Sequence, residues 1–232
     1  MIEDAFNYPR ESDDVVKTVV IGGLCLLFAW LLVPGFLALG YILRVIDRTA
    51  EGDDEPPVFD DYEAMIVDGA KAFVILFAYS LLPAIVAFLA IGVGALGVAG
   101  GENTAALGGL ALAAGLLVAF ALNLVVAYVT PAALANYTET RRIGSGFEFS
   151  TLRGVLFDRR YAVGWLTAFV MILIGGVIAG VLNVVPVLGS IVGVFVSFYF
   201  VVSAYYVIGH TWSDVRSSDP PEPDAVGGGT EA

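Results

Sequence analysis

The sequence predicts an all-α fold, a polytopic bundle of transmembrane helices, and two observations lead to this prediction. The first is a set of five long apolar stretches without charged side chains, which make up more than half of the 232-residue chain. The second is their length, since the hydrocarbon core of a bilayer is about 30 Å thick and requires roughly 20 apolar residues in a helix. The stretches are Thr18–Leu43, Phe73–Val98, Thr104–Leu134, Ala162–Val185 and Gly189–Ile208.

The overall composition also indicates a membrane protein. Hydrophobic residues make up 58% of the chain and charged residues 15%, whereas a soluble domain carries about 25% charged residues. The mean hydropathy is +0.85. The connectors are too short to bury a core of their own, so we predict one helical membrane domain over residues 15–212. An acidic cytoplasmic segment precedes it at residues 1–14, and an acidic tail follows at residues 213–232, which we expect to be disordered.

The charge balance excludes some functions and suggests a source. The formal net charge is −12, which argues against nucleic acid as a partner because such binding needs a basic face. An acidic surface suits a salt-loving cell, since molar salt shortens the Debye length to roughly 3 Å and screens repulsion from an anionic leaflet. The alternative is a basic partner that binds the acidic connectors. The only cysteine, Cys25, excludes an internal disulfide and a cysteine-based metal cluster.

The basic residues predict how the chain is oriented. Lys and Arg collect in the cytoplasmic loops of membrane proteins. The connectors Asp47–Lys71 and Tyr137–Arg160 hold most of them, whereas the short connectors near Ala99–Asn103 and Pro186–Leu188 hold none. Both basic connectors are therefore expected in the cytoplasm of a multi-pass protein of the cell membrane.

The first stretch has two possible paths. Pro34 and Gly35 interrupt it, because proline removes a helical hydrogen bond and glycine permits a turn. It either crosses once as a kinked, tilted helix or turns back at Val33-Pro34-Gly35 as a re-entrant or broken hairpin, which gives six helices. We favour the hairpin because it places all basic residues, and both termini, on the cytoplasmic side.

Two connector segments are predicted to form short helices along the membrane surface. The first is Asp60–Ala70, with Met65 and its neighbours toward the membrane. In the second, Ser150 caps a helix that runs to Asp158. Its apolar residues recur at helical spacing beside arginines, which suits a helix in the plane of the interface. A simple connector anchored by its arginines is the alternative.

No catalytic motif is recognisable, so we expect neither an enzyme nor a cofactor or metal site. The centre of each span lacks an ionisable side chain, which argues against a proton-coupled pump or a carboxylate-lined ion path. A transporter with proline-broken helices would use Asn123, Thr130 and Asn183 to line an intramembrane polar cavity. A membrane enzyme would need connector acids and His210, the only histidine, in one cleft.

The order of glycines, prolines and aromatics along the chain resembles that of a known family. The residues that carry the likeness are Tyr8-Pro9, Ile21-Gly22-Gly23, Pro34-Gly35, Gly40-Tyr41 with Arg44, Phe59-Asp60-Asp61, Pro83, Pro131, and Pro186 with Gly189. The chain resembles the membrane protein family called domain of unknown function 4013, which is common in halophilic and methanogenic archaea and found in bacteria. The resemblance covers roughly Tyr8 to Gly209 and implies no catalytic residue, because the family has no established activity.

These observations lead to two hypotheses about function. The first is a non-catalytic membrane scaffold or lipid-interacting module with the bilayer as its partner; the alternative is a small-solute or lipid transporter. Pairs of glycines four residues apart allow close helix packing or a homo-oligomer. The pairs are Gly97/Gly101, Gly176/Gly180 and Gly189/Gly193.

Overall fold

A computed structural model describes residues 2–10 and 15–217, and these form helices joined by turns, without a β-strand. The all-helical prediction is therefore confirmed. Part of the acidic N-terminal segment, residues 11–14, and the tail from residue 218 lie outside the described residues. The α-helices are α1 (Ile2–Asn7), α2 (Val15–Leu27), α3 (Val33–Ala50), α4 (Tyr62–Ala99), α5 (Glu102–Thr140), α6 (Phe149–Leu156), α7 (Arg159–Leu182) and α8 (Leu188–Arg216).

Four of these helices, α4, α5, α7 and α8, are long and apolar enough to cross a bilayer. They coincide with four of the five apolar stretches. The shortest, α7, has 24 residues, which at 1.5 Å per residue is about 36 Å. Length and composition therefore indicate a multi-pass membrane protein, as predicted.

The first apolar stretch is not one long helix. It is divided into α2 of 13 residues, a 3₁₀ turn at Ala29–Leu31 and α3 of 18 residues. The sequence predicts the turn at Val33-Pro34-Gly35, whereas the structure has the break just before these residues, with Leu32 at a positive φ of 64°. Pro34 lies in the first turn of α3, where the missing N–H of proline has no helical acceptor to lose. The proline therefore starts a helix here instead of interrupting one.

Both ends of this stretch lie at the same end of α8. The ring of Tyr8, before α2, packs on Tyr206 with centroids 4.3 Å apart. At the other end, Thr49 of α3 lies against Gly209, only three residues further along α8. The chain therefore returns to the end at which it started, as the broken-hairpin interpretation expects.

The long helices form two antiparallel hairpins, α4–α5 and α7–α8, with α3 packed between them. In the first hairpin the backbones approach at Gly97 and Gly108, where a Cβ on Gly97 would overlap the Cα of Gly108. Tyr161 of α7 joins the hairpins by donating to the carbonyl of Tyr128 on α5 at 2.7 Å. Close packing without side chains is the common way for helices to associate in lipid.

Most fully buried large side chains lie at one end of the bundle, which we call the basic end. It comprises the end of α3, the start of α4, the end of α5, α6, the start of α7 and the end of α8, and it carries the arginine-rich connectors. Its buried large residues include Tyr8, Tyr41, Met65, Leu134, Tyr137, Leu152, Tyr161 and Trp212. The opposite halves of α4 and α5 expose apolar side chains such as Phe88 and Leu107.

The predictions for the two connector segments need correction. Asp60–Ala70 is not a separate surface helix, because Tyr62 begins α4 and Met65 is 1% exposed in the core. Ser150 does not cap the next helix, since α6 begins at Phe149 after Glu148. Met65 in the first segment and Leu152 and Val155 in the second are buried by protein, which a helical periodicity alone cannot distinguish from burial in lipid.

Replacement of Gly69 by alanine should destabilise the fold. A Cβ at Gly69 would overlap the carbonyl oxygen of Phe36 on α3, and overpacking of this kind costs about 1–3 kcal/mol. Gly92→Ala on the same helix is the matched control, because a Cβ there meets nothing within 4 Å. Thermal unfolding in detergent should show a lower Tm for Gly69→Ala and an unchanged or slightly higher Tm for Gly92→Ala. Equal Tm values for both variants would refute the close crossing of α3 and α4.

Candidate functional site

The basic end contains a charged cavity of about 840 Å³ between α3, the connector 51–61, the start of α4 and the residue that ends α5. Four cationic and four acidic side chains line it. They are Arg44, Arg48, Lys71 and Arg141, with Asp47, Glu55, Asp60 and Asp68. The formal charges of this lining cancel, so its acids and bases are matched despite the acidity of the whole chain.

Arg141 connects three helices across this cavity. It ends α5 in the left-handed conformation, at φ 56°, and its N–H donates to the carbonyl of Tyr137. Its guanidinium binds Asp47 of α3 and, at 3.1 Å, Asp68 of α4. Asp68 also accepts from Lys71 at 3.2 Å and from the Tyr137 hydroxyl at 2.9 Å. One arginine therefore fixes the relative positions of α3, α4 and α5.

Burial raises the pKa of Asp47, and the nearby Glu51 and Asp68 act in the same direction. Arg141 opposes this rise through its charge and its hydrogen bond. The carboxylate of Asp47 thus depends on the guanidinium to remain ionised in a partly desolvated position.

A second ionic cluster joins the connector after α3 to α8. Arg48 binds Asp53 through its Nε at 2.8 Å. The pKa of Asp53 is lowered mainly by the hydrogen bond from the backbone N–H of Glu55, and to a smaller extent by Arg48. The next residue, Asp54, lies 2.9 Å from Nε2 of His210 and accepts from the Tyr206 hydroxyl at 3.2 Å.

Beneath this cluster, burial raises the pKa of Tyr8 to about 12.

The structure places His210 beside one connector acid and pairs other connector acids with arginines. Among the connector acids, Asp60 binds Arg44, Asp68 binds Arg141 and Glu139 binds Arg216. The acid beside His210 is Asp54, 156 residues away in sequence. No local pattern relates positions so far apart, so sequence reasoning had no signal for this pair.

Two of the three polar residues predicted for a transport cavity, Asn123 and Asn183, form separate hydrogen bonds. Asn123 donates to Ala119 one turn earlier in α5, and Thr130 lies buried seven residues further along that helix. Asn183 caps the far end of α7 and donates to the carbonyl of Ala179 there. No hydrogen bond joins the three side chains among the described residues, and the charged cavity does not include them.

The short helix α6 presents two faces of different character. Leu152 and Val155 are buried in the core, whereas Phe149 and Phe157 are 71% and 85% exposed. Arg153 lies between the phenylalanines at a spacing of four residues, and it is exposed. Within the described part of the chain, neither Arg153 nor Arg159 at the start of α7 forms an ion pair or hydrogen bond through its guanidinium.

The segment that carries α6 is held rigidly against the bundle. Tyr79, Asn136 and Tyr128 donate to the backbone carbonyls of Gly146, Ser145 and Leu156 at 2.7, 2.8 and 2.7 Å. These bonds satisfy carbonyls at both ends of the segment. The exposed phenylalanines and arginines are thus fixed in place next to α7.

The family comparison agrees with the resemblance seen in the sequence. Residues 23–184, more than two thirds of the chain, match the model of a family described as protein of unknown function, DUF4013. The chain belongs to this family. The DUF4013 region extends from α2 to just beyond α7 and includes Arg141 and α6, whereas α8 lies outside it. Searches of curated proteins and of solved structures found no match.

Replacement of Arg141 by glutamine should lower stability by about 1–3 kcal/mol, because two acids lose a charged hydrogen-bond donor. Arg142→Gln is the control, since Arg142 is largely exposed and its acidic partner among the described residues is Glu148. Exposed pairs of this kind contribute about 0–1 kcal/mol. Unfolding in detergent at neutral pH measures both changes.

The effect of Arg141→Gln should also depend on pH. Without Arg141, burial raises the pKa of Asp47 further, so the ionised form destabilises the folded state at neutral pH. The Tm difference from wild type should therefore shrink as the pH falls, because Asp47, with its raised pKa, gains a proton and the penalty for burying its charge is lost. Asp47→Asn in the same chain should restore part of the Tm at neutral pH. A difference independent of pH and of Asp47 would rule out this origin.

Proposed function

We propose that this DUF4013 chain is a non-catalytic, lipid-interacting module of the cell membrane. Its basic end faces the cytoplasm, with both termini on that side. The observation that carries the proposal is the outer face of α6, where two exposed phenylalanines accompany arginines that have no acidic partner among the described residues. This face is directed at the headgroup region of the inner leaflet.

The charge distribution supports this assignment. In a chain with a net charge of −12, most arginines of the basic end bind carboxylates of the same chain. Arg153 and Arg159 differ, since no carboxylate in the described part of the chain pairs with them, and their guanidinium groups can bind lipid phosphates in a bidentate manner. A basic residue near an anionic surface contributes about 1 kcal/mol to binding, so this pair attracts lipid to a molecule that otherwise repels it.

The position of α6 also supports the assignment. Phe149, Arg153 and Phe157 are four residues apart and therefore share one face of the helix. The apolar part of α7 begins at Ala162, soon after Phe157, so α6 lies where the chain enters the hydrocarbon. Aromatic and cationic side chains on one face are typical of helices in the interface plane.

The charged cavity fits a structural role better than a catalytic one. Asp47, Asp60 and Asp68 are each held by a cation, and a paired carboxylate is a poor general base. Transport receives no specific support, because Asn123 and Asn183 bond to backbone within their own helices. From the acidic exterior we also propose that the protein comes from a salt-loving cell, because high salt screens the repulsion between acidic side chains and anionic lipid.

Nitroxide labels should report α6 in the headgroup region. Phe157→Cys, made in a Cys25→Ala chain and reconstituted in vesicles, should be more accessible to oxygen than to a water-soluble nickel complex. Gly144→Cys is the control, since Gly144 is exposed with open space around it and should show the opposite preference. Equal, water-like accessibility at both positions would contradict the proposal.

Loss of the two arginines should reduce selection for anionic lipid. In native mass spectrometry from mixed phosphatidylglycerol and phosphatidylcholine at low salt, Arg153→Gln and Arg159→Gln should each lower phosphatidylglycerol enrichment about fivefold. Arg142→Gln should change it little because Glu148 already pairs with that arginine. Unaltered enrichment in the double variant Arg153→Gln/Arg159→Gln would exclude these residues as the lipid contact.

A further inference from the structure

A second cavity, of about 470 Å³ and almost wholly apolar, lies between the two helical hairpins. Its floor is formed by α3 and α8, with Leu39 and Val201 among the lining residues. Phe73 of α4 forms one wall and Ile172 of α7 the opposite wall. Its volume falls within the range of about 300–1,000 Å³ that is usual for ligand pockets.

Small residues at the break before α3 create this space. Ala29, Gly35 and Ala38 line the cavity, and none of them has a side chain large enough to fill it. The hairpins contact each other near the basic end through Tyr128 and Tyr161. Away from that contact, Phe73 of α4 and Ile172 of α7 both line the cavity, which therefore lies between these two helices.

The cavity opens onto the apolar surface of the bundle. Leu32 and Phe73 at its margin are 55% and 39% exposed, and both belong to stretches expected within the hydrocarbon. The cavity is thus continuous with the surface that faces lipid. A helix from a second copy is about 10–12 Å across and would have to separate the hairpins, whereas one hydrocarbon chain would not.

Tyr205 supplies a hydroxyl to this otherwise apolar lining. Among the described residues its hydroxyl has no hydrogen-bond partner, whereas Tyr79, Tyr128 and Tyr161 each donate to a backbone carbonyl. The next residue, Tyr206, reaches Asp54 in the connector. On α8, Tyr205 is therefore the neighbour of the residue that contacts the ionic connector.

We infer that this cavity binds one hydrocarbon chain of a membrane glycerolipid. The chain runs along Val201 and Leu39, and the Tyr205 hydroxyl donates to the ester or ether oxygen at which the chain joins glycerol. This inference rests on the proposed function and deepens it, since it assigns an internal lipid site in addition to the surface contact of α6.

Photocrosslinking tests the inference with a defined probe. The full chain is reconstituted with phosphatidylcholine that carries a diazirine in one acyl chain, and labelled peptides are identified by mass spectrometry. We expect labels concentrated in α3 around Leu39 and in α8 around Val201. Ala38→Phe, which fills the cavity, should reduce them at least fivefold, and Ala84→Phe on the exposed face of α4 should not.

A less disruptive variant tests the same inference in case Ala38→Phe does not fold. Tyr205→Phe keeps the ring and removes the hydrogen bond, so labelling should fall about fivefold. Uniform labelling of all exposed apolar faces, or a crosslink between two protein copies at these peptides, would overturn the inference. The probe has no net headgroup charge, so the result is independent of Arg153 and Arg159. If the photocrosslinking fails, the measurements on α6 can still support the proposed function. If the α6 measurements fail, labelling of the cavity can still support the internal lipid site.

Discussion

The close crossing of α3 on α4 is the contact on which the rest of the structure depends. Gly40 faces the backbone of Met65, and Gly69 faces the backbone of Phe36, with no room for a side chain at either glycine. Lipid tails are as apolar as the helices, so association in a bilayer relies on such packing. The crossing brings the charged end of α3 over the start of α4 and places Asp47 beside Asp68, where Arg141 bridges them. It also leaves the apolar cavity on another side of α3.

The ionic contacts at the basic end explain how an acidic chain can form a compact interfacial structure. Carboxylates brought near a low-dielectric region would repel each other, and burial alone raises the pKa of Asp47. Matched cations offset this cost at Asp47, Asp60 and Asp68. Among the described residues of the basic end, Arg153 and Arg159 have no acidic partner and lie beside the exposed phenylalanines. The charge that we propose to face lipid is therefore left over from the internal pairing.

Much of the fold could be predicted from the sequence, and little of the site. Four spans follow from length and hydropathy, because a bilayer imposes both directly. The path of the first apolar stretch cannot be predicted in this way, because Pro34 is compatible with a kink, a break or a helix start. Packing on α8 determines which of these forms. Burial of Met65 in protein instead of lipid is equally invisible to a hydropathy pattern. The pairing of Asp54 with His210 requires the tertiary fold. The exposure of Phe149 and Phe157 could have been predicted from the sequence, because each lies four residues from Arg153 and therefore on the same helical face.

The two proposed lipid contacts must involve different lipid molecules. Gly164 of α7 packs against Thr211 of α8, which aligns the two helices in depth. Arg159 lies five residues from this level on one side and Tyr205 six residues on the other, so about 16 Å separates them along the bundle at 1.5 Å per residue. A headgroup bound at Arg159 therefore cannot belong to a lipid whose glycerol oxygen meets Tyr205. In these proposals the surface contact orients the bundle in the leaflet, whereas the internal chain fills the gap that the small residues leave between the hairpins.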